Sequence, residues 1–267
     1  MQTTETGASA VRYEDIEAAR ETLRNIITET SMDHSRALGR ITGSTVHLKC
    51  ENLQRAGSFK VRGAYVHMAS LTDEQKAKGV VAASAGNHAQ GVALAASKLG
   101  INARIYMPLG AALPKVQATQ DHGATVVLAG NNVNEALELA ARYAGETGAT
   151  FVHPFDNPHV VAGQGTLGLE IVEQQPDVDT VIMSIGGGGL LAGVAIAIKE
   201  HARRQGRHIN VIGVQAEKAA AYPPSLVAGK PVTLDNVATI ADGIAVGRPG
   251  NVPFSVIKEL CDEVVTV

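Results

Sequence analysis

Three short stretches of this sequence bring reactive or anion-binding residue types together at spacings that could do chemistry. In Ser58-Phe59-Lys60-Val61-Arg62-Gly63-Ala64 a lysine stands among small and apolar residues at the expected start of a helix running to Ser70. Such neighbours can desolvate an amine, and an amine whose pKa is lowered becomes a nucleophile toward carbonyl groups. Taken alone, a lysine at a helix start is more often a solvated surface charge. The second stretch is Ala83-Ser84-Ala85-Gly86-Asn87-His88-Ala89-Gln90-Gly91, after an apolar strand and opening a helix. It sets hydroxyl, amide and backbone N–H groups at a strand's carboxyl end, where parallel sheets bind ligands and a helix start attracts a carboxylate or phosphate. The plain structural alternative is a helix capped by Ser84 or Asn87, with His88 merely packed. The third is Gly186-Gly187-Gly188-Gly189-Leu190, between a strand and a long helix. Consecutive glycines are entropically costly. They make sense where backbone N–H groups close around an anion, the alternative being a tight strand–helix turn.

Other chemistries fit less well. A serine nucleophile elbow requires G-x-S-x-G around Ser84, but Ala82 holds the first glycine position. The dinucleotide fingerprint G-x-G-x-x-G counted from Gly186 ends on Leu191, so a single phosphate is favoured over a pyrophosphate. The histidines show no H-E-x-x-H, and His153 and His159 flank a proline-containing turn, so no metal site is expected.

The elements that position these stretches follow from hydrophobic patterning. Short β-branched runs at Val80–Ser84, Ala103–Met107, Thr125–Ala129, Thr150–His153, Thr180–Ile185, Asn210–Gln215 and Glu263–Val267 predict strands. Their near-continuous apolar character predicts burial on both faces. Alanine-rich stretches at Ala89–Leu99, Asn134–Gly145 and Leu190–Arg204 predict helices between them, and Ile16, Ala19 and Leu23 mark an outer amphipathic helix over Tyr13–Asn25. The alternation predicts an α/β protein with mostly parallel sheets flanked by helices. Residues 1–10 read as a polar, frayed tail without a secretory signal.

Composition narrows the function class. A net charge of -3 with both signs intermixed gives no footprint for nucleic acid or an anionic membrane, and 3% aromatic content offers no stacking platform. No apolar stretch is long enough to span a bilayer. Cys50 and Cys261, far apart in sequence, suit a reducing cytoplasm. A small-molecule substrate is the expectation.

In this order, the three stretches resemble the pyridoxal phosphate (PLP) enzymes of fold type II, the tryptophan synthase β-like class, and within it the threonine and serine dehydratases. Lys49-Cys50-Glu51-Asn52-Leu53-Gln54 leading into Ser58-Phe59-Lys60, then Ser84 to Gln90, His153-Pro154-Phe155-Asp156, Gly163-Gln164-Gly165-Thr166, the glycine run and Ala241-Asp242-Gly243 all look like family motifs, and the likeness spans about Tyr13 to Val267. The resemblance implies that Lys60 holds PLP as a Schiff base, Phe59 packs near it, and Asn87 hydrogen-bonds its ring oxygen. It implies that Gly186, Gly187, Gly188, Gly189 and Leu190 cradle the phosphate, and that Ser84, Ala85, Gly86, Asn87 and His88 hold the substrate carboxylate. The freed Lys60 would remove the α-proton, the β-hydroxyl would leave, and L-threonine or L-serine would yield 2-oxobutyrate or pyruvate with ammonia. A homo-oligomer serving amino-acid metabolism, isoleucine biosynthesis included, is implied as well.

The expected organisation is a large PLP domain from residues 1–71 and 152–267, a small domain from 72–151, and an active site between them. Two departures from the family stand out. The family's last core strand carries a serine or cysteine facing the pyridine nitrogen, and that segment is not found before Val267, so the large domain is expected to be incomplete. In serine racemases, which the chain also resembles, two acidic residues bind a divalent cation where Gln215 and Ala221 stand here, and a serine precedes the loop glycine where Ala85 stands. Alternatives are therefore a serine racemase, a β-replacing enzyme such as a cysteine synthase, or a truncated protein that binds PLP without turnover. Cysteine synthases carry S-V-K-D-R in place of Ser58-Phe59-Lys60-Val61-Arg62 and rank lower.

Overall fold

The β-branched runs and the alanine-rich stretches form alternating strands and helices in the computed structural model, which describes residues 11–267. The tail expected over residues 1–10 lies outside the described residues. In chain order the elements are α1 (Tyr13–Thr22), β1 (Met32–His34), α2 (Arg36–Thr42), β2 (His47–Lys49), α3 (Lys60–Ala69), α4 (Asp73–Lys78), β3 (Val80–Ala83), α5 (Asn87–Leu99), β4 (Ala103–Met107) and α6 (Leu113–Asp121). There follow β5 (Thr125–Leu128), α7 (Val133–Thr147), β6 (Thr150–Phe151), α8 (Pro158–Gln174), β7 (Thr180–Ser184), α9 (Gly189–Arg204), β8 (Asn210–Gln215), α10 (Tyr222–Ala228), α11 (Asn251–Leu260) and β9 (Glu263–Thr266). Each of the seven strands expected from the sequence is present, trimmed at its carboxyl end where the chain turns into a loop or helix, apart from β4 and β8, which keep their expected bounds. The α/β architecture with mostly parallel sheets flanked by helices, expected from the alternation, is what the structure shows.

The chain divides into two compact units. Of the described residues, one unit contains Arg20–Pro154 and Glu170–Asp177; the other contains residues 11–19, Phe155–Leu169 and Val178–Val267. Where the sequence suggested a division at residues 71/72 and 151/152, the residues from Arg20 to Leu71 group with the sheet that follows them. The physical reason is α3, which carries Lys60 and packs along α5.

In the first of these units β5-β4-β3-β6 form a parallel sheet, and β1 and β2 pair antiparallel beside it in sequence, with Met32 opposite Lys49. β3 is buried along its whole length, as an apolar central strand should be. Helix α7 covers Val81 and Ala83 through Ala136 and Ala140. Helix starts are set locally: Thr72 and Gln75 form a capping box on α4, and Asn132 caps α7.

In the other unit β7-β8-β9 are parallel. Burial on both faces, expected for these strands, is not what the structure shows: β8 alternates buried and half-buried positions and Ile182 of β7 is 63% exposed. The motif Gly163-Gln164-Gly165-Thr166 has a packing role. A Cβ on Gly193 of α9 would stand 2.5 Å from the Gly165 nitrogen and 2.3 Å from the Val161 carbonyl oxygen, so α8 and α9 cross backbone to backbone. No helix among the described residues is long and apolar enough to cross a membrane.

Candidate active site

Lys60 is the first residue of α3, and the chain reaches it through a sharp turn. Ala56 and Gly57 both adopt left-handed backbone conformations, at φ 63° and 67°. Ser58 then offers its hydroxyl to the Lys60 N–H at 3.5 Å. The beginning of α3 is anchored by Arg62, whose guanidinium is fully buried and makes forked contacts to two carboxylates. It donates to both Glu51 oxygens at 2.8 Å and to the Glu170 oxygens at 2.6 and 3.0 Å, while Lys49 approaches Glu170 at 2.7 Å. Planar bidentate pairs of this kind fix orientation as well as charge.

The Lys60 ammonium donates to the Pro154 carbonyl oxygen at 3.3 Å and stands 5.1 Å from the centre of the Phe59 ring. No carboxylate pairs with it among its hydrogen bonds and ion pairs. Lys60 is half-buried, and partial desolvation without an anionic partner disfavours the charged form; its pKa is lowered to about 8. The solvated surface lysine that composition alone would favour is therefore not what this residue is.

The loop Ser84–Gln90 reaches the same lysine. Helix α5 is capped by the Gly86 backbone with no side-chain hydrogen bond, so neither Ser84 nor Asn87 caps it; the Ser84 hydroxyl accepts from the Gly86 N–H at 3.1 Å. In the first turn of α5 the Ala89 N–H donates to the Gly86 carbonyl oxygen at 3.0 Å, and the Asn87 and His88 N–H groups are the ones left for solvent or a ligand. Ser84, Ala85 and Gly86 are half-buried, Asn87 is exposed and His88 is buried. Gly91, one turn on, permits the approach to α3: a Cβ there would stand 2.9 Å from the Lys60 carbonyl carbon. The His88 pKa is lowered to about 3, chiefly by burial and then by the Lys60 charge, against an opposing hydrogen bond to Val152. His88 is thus neutral, and the 2.9 Å contact of its Nε2 with the Val152 carbonyl oxygen, an acceptor only, assigns the proton to Nε2.

The glycine run lies in the other unit, with Gly187, Gly188 and Gly189 buried and Gly186 and Leu190 half-buried. Gly188 caps α9 at φ 99°, a conformation open to glycine. A Cβ on Gly187 would enter the Phe155 ring at 2.4 Å, and one on Gly188 would meet the Tyr222 hydroxyl at 1.9 Å. The Gly187 carbonyl oxygen accepts from the Tyr222 hydroxyl at 3.2 Å and from the Gly250 N–H at 3.1 Å. C=O and N–H of a trans peptide point in opposite directions, so the Gly188 N–H is turned away from Tyr222. Asp156 ties the neighbouring α11 in place, accepting from the Val252 N–H at 2.8 Å and the Asn251 amide at 2.9 Å.

The structure thus gathers Lys60, Phe59 and Ser84–His88 in one unit and Gly186–Leu190 in the other. Sequence reasoning missed the scaffold of the glycine run. Tyr222-Pro223-Pro224 signals a helix start through its prolines, but nothing local shows that the Tyr222 hydroxyl reaches Gly187. Gln215 stands where the racemase resemblance placed an acidic ligand, and here its amide accepts from the Tyr222 N–H at 2.9 Å. Among the described residues no group of three or more His, Cys, Asp or Glu side chains could hold a metal ion.

Comparison with known proteins adds a family. The family model described as pyridoxal-phosphate dependent enzyme matches residues 23–267. An L-threonine ammonia-lyase of Thermotoga maritima is 49% identical over 96% of this chain, which spans 63% of that relative's length. Among solved structures, the processed form of threonine deaminase isoform 2 from Solanum lycopersicum is 37% identical, with a TM-score of 0.89 over 98% of this chain and 77% of its own. Maize serine racemase is 36% identical, with a TM-score of 0.91 over 97% of this chain and 77% of its own.

Proposed function

Because this chain belongs to the pyridoxal-phosphate-dependent enzymes of fold type II, in the threonine and serine dehydratase family, we propose that it eliminates water from L-threonine, with L-serine as a second substrate, giving an oxoacid and ammonia. The observation that carries the reading is Lys60: an amine lowered to about 8, held at a helix start against the loop Ser84–Gln90.

The residues present fit the cofactor. A desolvated amine suits covalent attachment of an aldehyde, and a glycine cradle with N–H groups at the start of α9 suits a phosphate. When bound, PLP supplies an electron sink for the charge left on the substrate's α-carbon. Lys60 would hold it and serve as the base for the substrate's α-proton; a pKa of about 8 lets the amine take and return a proton near neutral pH. The Asn87 and His88 N–H groups at the start of α5, with Ser84, Ala85 and Gly86 beside them, would hold the substrate carboxylate. As the family resemblance implies, Asn87 would orient the ring oxygen and Gly186–Leu190 would take the phosphate, while Phe59 lies beside Lys60. His88, neutral and engaged with Val152, holds the segment leading to Pro154 and carries no proton to the substrate.

A second reading, racemisation of serine, is favoured by the likeness to maize serine racemase. Ala85 weighs against it. Inverting an α-carbon requires a proton donor on the face opposite Lys60, and a methyl group is neither donor nor acceptor.

The test is the absorbance spectrum of the protein with PLP, recorded with and without L-threonine and coupled to an oxoacid assay. A near-visible band that changes with L-threonine as oxoacid forms is the expected result, and Lys60→Ala abolishes both. A band without oxoacid identifies a binding protein, and full activity of Lys60→Ala overturns the scheme.

A further inference from the structure

Tyr222 is fully buried, and its ring lies against the turn that opens α9. Its hydroxyl and the Gly250 N–H together occupy the Gly187 carbonyl oxygen, at 3.2 and 3.1 Å. A carbonyl oxygen has two lone pairs, so these two donors saturate it and fix the plane of the Gly187–Gly188 peptide. Tyr222 is itself held from behind by Gln215 at the end of β8. The buried Gln215 amide accepts from the Tyr222 N–H at 2.9 Å and donates to the carbonyl oxygens of Ala219 and Ile185 at 3.4 and 3.5 Å. Burial first, and then the nearby Asp156 and Cys261, push the Tyr222 pKa up, so the phenol stays protonated and remains a donor.

We propose that Tyr222 is a positioning residue of the anion site: by holding the Gly187 carbonyl it keeps the Gly188 N–H turned toward the opposite side of the loop, where a phosphate dianion accepts it. The inference rests on the reading of Gly186–Leu190 as the phosphate cradle. It assigns to a side chain the orientation of a loop whose glycines have none of their own to set it.

Binding of PLP, of pyridoxal without its phosphate, and of inorganic phosphate is measured for the unmutated protein and for Tyr222→Phe, with the melting curve of each. Phenylalanine keeps the ring and removes only the hydroxyl. PLP and phosphate affinities are expected to fall about fivefold, the equivalent of about 1 kcal/mol for one neutral hydrogen bond, while pyridoxal affinity is unchanged. Equal weakening for PLP and pyridoxal would reveal a merely structural tyrosine and overturn the proposal, as would no weakening at all. Should Tyr222→Phe fail to fold, the Gly188 amide of the unmutated protein decides: a downfield proton shift on phosphate addition supports the proposal, and an unmoved resonance overturns it. If the unmutated protein prefers PLP over pyridoxal by nothing and binds no phosphate, the cradle reading fails first, before any variant is compared.

Discussion

Gly91 of α5 lies against the backbone of Lys60, so near that a Cβ would stand 2.9 Å from the Lys60 carbonyl carbon and 3.0 Å from its Cβ. The atoms it would strike are backbone and the root of a side chain, which cannot swing aside. Gly91→Ala must therefore part α3 from α5, at an overpacking cost of about 1–3 kcal/mol. Urea denaturation should show that loss together with slower capture of PLP by Lys60. A stability within a few tenths of a kcal/mol of the unmutated protein would mean that the helices part freely.

Capture of an aldehyde requires the neutral amine, and the Lys60 pKa of about 8 sets where that form appears. Below that pH the ammonium has no lone pair to offer. The rate at which cofactor-free protein takes up pyridoxal should rise with pH and level off a little above pH 8, whereas a solvated lysine continues to gain up to its ordinary value near 10.4. Stopped-flow absorbance across this range measures it, with Lys60→Ala as the blank. A rise that continues to pH 10 would show that burial does not act on this amine.

Acid should loosen the support of α3. Burial by itself raises the Glu51 pKa, but the hydrogen bonds and charge of Arg62, with Thr30 and Lys49, outweigh it and leave the carboxyl below its ordinary value. The folded pKa is depressed, so the unfolded chain takes up this proton first as pH falls. The Glu51 contribution is present above the ordinary carboxylate range and lost as the pH falls through the folded value. Glu51→Gln should lower stability at neutral pH by about 3 kcal/mol, since one partner of a buried pair is removed, and should flatten the acid side of the stability curve. An unchanged acid limb would place the acid sensitivity elsewhere.

Ala85 separates the two reactions. The proposed dehydration needs Lys60 on one face of the α-carbon only, so on that reading the unmutated protein should make oxoacid with little D-serine, and Ala85→Ser should raise the racemised fraction. Chiral analysis of residual serine after partial turnover reads both. D-serine accumulating as fast as pyruvate in the unmutated protein would replace the dehydratase reading with the racemase one.

Much of this was legible along the chain. Hydrophobic patterning located the parallel strands because short β-branched runs favour a pleated strand whether one face is covered or both, and the motifs around Lys60, Ser84–Gln90 and Gly186–Leu190 marked two helix starts and a strand–helix glycine turn that the structure contains. Tertiary structure decided what depends on residues distant in sequence. It grouped Arg20–Leu71 with the sheet that follows, through the packing of α3 on α5. It turned Gly165 from a motif residue into the crossing point of α8 and α9. It desolvated Lys60, and it brought the Tyr222 hydroxyl to a carbonyl 35 positions earlier. Strand, helix and cap preferences are properties of neighbours in the chain, whereas a pKa and the orientation of a peptide plane are set by whatever the fold packs against them.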